Sequence, residues 1–188
     1  MRHVPASHGA VVLAVLPLAT AAAGALVAHE RPSTGFWAVG TAGSLVVVAF
    51  ALREGGGSLY LPDLALLAAV ISAAFGYALG ARAAATLGGW QAISWSLALC
   101  IPLLAPAVLA SLPASPREVP AGAWAGFLYV ALVSQYLGFF AWYRGLALGG
   151  IARVGQLQLL QPFLTIAASA VLVAEALRAE GIAFALAV

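Results

Sequence analysis

The sequence has no lysine, one cysteine and little charge: eight arginines and six acids make only 7% of its 188 residues charged, where a soluble domain carries about 25%. Each shortage excludes something. Without lysine there is no P-loop, and GxSxG, HExxH and paired carboxylates deep in an apolar run are also missing, so no enzymatic chemistry is expected. The lone Cys100 excludes an internal disulfide and a cysteine-based metal cluster, and its apolar surroundings suit a lipid-facing or packed position. The arginines stand singly at a net charge of +2, which offers no basic stripe to a phosphate backbone, so nucleic acid is not an expected partner. His3, His8 and His29 lack metal-ligand spacing, and neither metal nor cofactor is expected.

What the chain does have is apolar length. Hydrophobic residues make up 64% of it, and the mean hydropathy is +1.05. A bilayer core of about 30 Å takes roughly 20 helical residues, and six runs reach that size: 10–28, 34–52, 62–81, 90–111, 121–143 and 154–174. The first is longer than the apolar core of a signal peptide and reads as a true span. The segments between runs are short and rich in glycine, proline or charge: HERPSTG (29–35), REGGGSLYLPD (53–63), SLPASPREVPAG (111–122) and EALRAEG (175–181). Short connections make neighbours antiparallel, so the expected fold is all-α: a polytopic transmembrane helical bundle in the cell membrane. A seventh run, 181–188, reaches only about 12 Å as a helix and reads as a span cut short. GxxxG pairs at Gly76/Gly80, Gly122/Gly126 and Gly145/Gly149 are candidate sites of close helix approach. Arginines divide evenly between the two sets of loops and assign no orientation.

The segment LPLATAAAGALVAHE (16–30) is echoed by QPFLTIAASAVLVAE (161–175). An offset of 145 residues aligns Pro17 with Pro162, Thr20 with Thr165 and Glu30 with Glu175, and with one residue of slip Gly35 meets Gly181. Five spans separate the starts of the two copies, an odd number, so the copies are expected to run in opposite directions through the membrane. Inverted repeats of this kind are common in secondary transporters, where two halves rock about a site near the midplane.

The passage GFFAWYRGLALGGIARVGQLQLLQPFLT (138–165) followed by VLVAE (171–175) resembles the second half of an EamA-like transporter of the drug/metabolite transporter superfamily, and LPLATAAAGALVAHERPSTGFWAVGTAG (16–43) resembles the end of that family's first half. The resemblance implies an inverted five-plus-five helix repeat. Residues 1–53 would hold two helices of the first repeat, and residues 54–188 four full helices and a truncated fifth of the second. It also implies a permease that moves a small metabolite or drug-like solute by alternating access, as an exporter. The expected partners are that solute, the lipid bilayer, and either a second copy in a homodimer or the helices missing from a full-length chain. The alternative is a non-transporting membrane scaffold or subunit that uses the same helices only to pack.

Polar residues inside the spans are the candidate site. On an α-helix starting near Ala152, Val154, Gln158, Gln161 and Thr165 share one face. An amide in hydrocarbon must find a partner, so this stripe is either a cavity wall that binds solute or interhelical glue worth about 0.6 to 2 kcal/mol per bond. Pro162 frees a backbone carbonyl, as does its counterpart Pro17, and each is a candidate kink used in gating or a passive bend. Gln135, near the middle of its span, and Trp95 are further candidates for a substrate-binding wall. Arg144 and Arg153 are expected to snorkel to headgroups, and Glu30 and Glu175 to end helices and pair with nearby Arg31 and Arg178.

Overall fold

A computed structural model describes residues 15–55, 61–113, 115, 119–161 and 164. Every element of secondary structure among them is helical. Apolar side chains alone would allow other folds. In lipid, however, the backbone must satisfy its own N–H and C=O groups, and a helix does so within one segment.

Helix α1 spans Leu16–Val27 and carries Pro17 in its first turn, where a missing N–H costs nothing. Helix α2, Thr34–Gly55, starts at Ser33, whose hydroxyl oxygen accepts from the Phe36 N–H at 3.2 Å. Helices α3 (Leu61–Leu87) and α4 (Gly89–Ala110) follow, and α4 carries Pro102 and Pro106 inside it. Helix α5 (Ala121–Leu128) continues through a π-helical segment, Tyr129–Leu137, into α6 (Gly138–Gly149). The last described elements are a short α7, Ile151–Gly155, and a 3₁₀ segment, Gln156–Leu160. Among the described residues, three stretches are long and apolar enough to cross a membrane: Leu64–Leu87, Gly89–Ala110 and Ala121–Gly149. The molecule is a polytopic helical membrane protein.

Two connections are shorter than the sequence predicts. The expected turns at 82–89 and 144–153 contract to single residues, Gly88 and Gly150. Their φ values are +101° and +87° with ψ of 155° and 137°. Only glycine takes up such backbone without strain, so one residue re-aims the chain and the flanking helices run on to meet it.

The chain divides into two compact units, 1–78 with 150–188, and 79–149. In the first, α1 packs on α7 and the 3₁₀ segment, and α2 packs on both α1 and the 3₁₀ segment. Leu16, Thr20, Ala21, Ala23, Ile151, Ala152 and Leu159 are buried there. In the second, α4 packs on α6 and on the π segment. Gly80 lies under the Tyr143 ring, which a Cβ would overlap, and a Cβ on Gly89 would stand 2.5 Å from the Phe140 carbonyl oxygen. The Ser94 and Tyr136 hydroxyls meet at 2.9 Å.

Of the GxxxG positions, Gly80 is at a close contact, whereas Gly76, Gly122 and Gly126 face nothing within 4 Å. The spacing permits approach; the partner surface decides where approach happens. Cys100 is exposed, which resolves its two sequence readings in favour of an outward-facing position.

Candidate functional site

The polar residues of the first unit converge on the face that α1 presents to α7 and the 3₁₀ segment. Close approach comes first, because short polar bonds need backbones near each other. Gly24 and Gly155 supply it: a Cβ on Gly24 would be 2.9 Å from the Ile151 Cβ, and a Cβ on Gly155 would be 2.9 Å from Thr20 Cγ2.

Three bonded contacts then run along the seam. The Gln156 amide donates to the Pro17 carbonyl at 3.3 Å. The Gln158 amide donates to Thr20 Oγ1 at 3.4 Å and to its own turn at the Gly155 carbonyl, 3.1 Å. Thr20 is wholly buried and passes its own proton to the Leu16 carbonyl at 2.8 Å, so its oxygen is free to accept. At the far end, Glu30 accepts from the Ile151 N–H at 2.6 Å and the Ala152 N–H at 2.7 Å. As numbers rise along α1 from Pro17 through Gly24 to Glu30, the partners fall from Gln156 to Ile151. The two segments therefore run antiparallel.

Glu30 is placed by its predecessor. His29 has φ +55°, in the left-handed region that histidine tolerates better than most residues, and the reversal brings the Glu30 N–H back to the Gly24 carbonyl at 3.4 Å. The sequence predicts that Glu30 ends its helix and pairs with Arg31; its carboxylate instead takes two backbone donors 121 and 122 residues away. Nothing local in the sequence signals that partner.

The sequence-predicted residues are distributed as follows. Gln158 lies in the seam and Pro17 is buried at the first turn of α1. Gln161 is exposed on the last helical turn described. Pro162 and Thr165, and Glu175 with them, lie outside the described residues. The face proposed for Val154, Gln158, Gln161 and Thr165 assumed α-helical winding, but residues 156–160 wind as a 3₁₀ helix with three residues per turn. That difference hides Gln156 from a reading based on α-helical periodicity. Trp95 and Gln135 belong to the second unit, and both are exposed, Trp95 at 63%. Their neighbours Ser94 and Tyr136 make the 2.9 Å contact, so positions 94–95 and 135–136 adjoin across α4 and the π segment. A nine-residue π segment is unusual, and π bulges recur at functional sites.

Gln156 also lines a groove of about 420 Å³ between the first turns of α2 and the 3₁₀ segment. Phe36, Val39, Leu157 and Leu160 give it apolar walls and Ser33 stands at one end. Gly40 opens the groove to the amide, for a Cβ there would come within 3.3 Å of Gln156 Oε1. With its nitrogen committed to Pro17, Gln156 keeps a buried oxygen with no hydrogen-bond partner, and so does Ser44, one turn beyond Gly40 on α2. A second cleft, about 530 Å³ between the end of α4 and the start of α5, is lined by Leu104, Val108, Trp124 and Phe127. Its lining hydroxyl, Ser111, donates to the Ala107 carbonyl at 2.8 Å.

Comparison with known proteins places this arrangement in a family. Residues 61–188 match the EamA-like transporter family. Over 175 residues the chain is 46% identical to the uncharacterized transporter YdeK of Bacillus subtilis (strain 168), an alignment that takes in 93% of this chain. The chain spans 61% of the length of that relative. No solved structure matches it significantly. The family is one of membrane transporters and not of enzymes, and this chain belongs to the EamA-like transporter family.

Proposed function

We propose that the chain is the solute-handling part of a permease that moves a small metabolite or drug-like solute out of the cell by alternating access between two inverted halves. The observation that carries this reading is the seam itself. Thr20 and Pro17 on one segment meet Gln158 and Gln156 on another that runs the opposite way, and the second segment leads in sequence toward Pro162 and Thr165, the repeat counterparts of Pro17 and Thr20. Antiparallel contact between one segment and the chain that leads into its repeat counterpart is what an inverted-repeat transporter requires around its site. Polar side chains inside apolar helices are costly unless they are used.

Gln158, Gln161 and Thr165 form the solute wall in this reading, and Pro162 and Pro17 serve as kinks; Gln135 and Trp95 are the candidate solute contacts of the second unit, taken by itself. Gln156, with its unpartnered oxygen facing the α2 groove, joins the wall. The rival is a scaffold in which the same amides serve only as interhelical glue.

The test is an efflux screen in vesicles carrying the full reading frame, across neutral and charged amino acids and aromatic cations. Flux above empty vesicles, abolished by Gln158→Leu or Gln161→Leu without loss of insertion or abundance, supports the reading. An inserted protein that moves nothing favours the scaffold, and unchanged flux in both variants removes those glutamines from the wall.

A further inference from the structure

The start of α7 lacks the usual local cap. Its first N–H groups have no partner within the helix, and the residue that would ordinarily cap them is Gly150, which has no side chain. Glu30 supplies the missing acceptors from another helix, one oxygen to each of the Ile151 and Ala152 N–H groups. A helix start that most proteins secure with the preceding Ser, Thr, Asp or Asn is here secured only by a tertiary contact.

The surroundings are built around that contact. His29 takes up left-handed backbone to turn Glu30 toward α7, and Gly150 takes up positive φ to present the donors. A Cβ on Gly24 would stand 3.1 Å from Glu30 Oε2, so glycine there keeps the carboxylate in place beside Ile151. Beyond the contact, α7 is only five residues long, with glycine preceding it and glycine at its last position, and it gives way at once to the 3₁₀ segment that carries Gln156 and Gln158. Short 3₁₀ stretches often mark hinges. A five-residue helix also has too few bonds of its own to hold its place.

We infer that Glu30 is a positioning residue for transport: its carboxylate latches the start of α7 to α1, fixes the orientation of Gln156 and Gln158 through the 3₁₀ segment, and must let go for this end of the seam to open. The inference rests on the transport reading. It assigns to Glu30 a role that neither its place in a loop nor its nearness to Arg31 suggests. Both latch bonds are charge-assisted and short, so the closed form is strongly favoured while the carboxylate is intact. Glutamine in its place keeps one acceptor and turns an N–H₂ group toward a backbone N–H. Aspartate keeps the charge but reaches one methylene less far.

Cysteine labelling tests the latch directly, since Cys100 is the single cysteine of these 188 residues. In the full reading frame with Cys100 and every other native cysteine replaced by serine, Ala152→Cys puts a thiol at the latch, where the native residue is 4% exposed, and Ala92→Cys puts a control thiol at a site 2% exposed in the second unit. With Glu30→Gln, maleimide labelling at position 152 should rise roughly tenfold, the loss of one charge-assisted bond, while position 92 stays protected, which separates opening at α7 from a general loss of stability. On the Ala92→Cys background, the same substitution should raise the KM for efflux, and Glu30→Asp should recover part of both changes. Unchanged labelling at 152, equal gains at both sites, or faster labelling with unaltered efflux kinetics would each overturn the latch. If the parent protein moves no solute at all, the transport reading fails instead, and labelling still reports whether Glu30 holds α7.

Discussion

The seam between α1 and α7 and the face of the Ala121–Gly149 helix are made of much the same kind of sequence and behave differently. In the first, Leu16, Thr20, Ala21, Ala23, Ile151 and Ala152 are buried and amides, a hydroxyl and a carboxylate join the segments. In the second, Phe127, Tyr129, Val130, Leu132 and Leu137 are all more than half exposed. Hydrophobicity does not separate them, since lipid is as apolar as leucine and gives helices no reason to associate. Small residues that admit a backbone, and polar groups that need a partner, do separate them.

The comparison breaks most readily at its glycines. Gly89→Val sets a branched side chain against the Phe140 carbonyl, a backbone atom that cannot swing aside, and should destabilise by about 3 kcal/mol. Gly24→Val meets the Ile151 side chain and should cost about 2 kcal/mol, part of it through displacement of Glu30. Gly76→Val and Gly122→Val, which have GxxxG spacing but open space around them, should stay within about 0.5 kcal/mol of the parent. Thermal unfolding in one detergent ranks all four. A large loss at Gly76 or Gly122 would mean that spacing, and not the neighbour, decides packing.

A smaller effect sharpens the polar half of the comparison. Gln158→Leu should lose about 1 kcal/mol, and a double-mutant cycle with Thr20→Val should show coupling of about 0.6 kcal/mol or more. Zero coupling would leave Gln158 free for solute alone. A smaller change than at Gln158 is expected in the second unit, where Tyr136→Phe removes one hydroxyl contact to Ser94, worth about 0.6 kcal/mol, while Ser94 keeps its 2.7 Å bond to the Trp90 carbonyl. If Tyr136→Phe costs more than Gln158→Leu, the seam holds no special place in the molecule.

Several features are legible in the sequence alone. Apolar length and scarce charge are enough for helices and membrane, and the gaps between apolar runs at 82–89 and 144–153 mark breaks between spans. The length of those breaks was not legible, because a glycine announces a turn without saying whether one residue suffices. Gln158 stood out on an α-helical wheel, whereas Gln156 did not, because the segment winds three residues to the turn. Glu30 was visible as an acid at a helix end, but its partner begins 121 residues away, beyond any local rule.

The sequence by itself determined that this is a helical membrane protein with polar residues in its apolar spans, because a backbone in lipid has to satisfy itself and a helix does so within one run of chain. Only the tertiary structure decided which of those polar residues meet. The bonds of Glu30 to the start of α7, and of Thr20 to Gln158, exist because Gly24 and Gly155 let two distant segments come close enough for short hydrogen bonds. That distance is a property of the pair of helices and of neither helix alone.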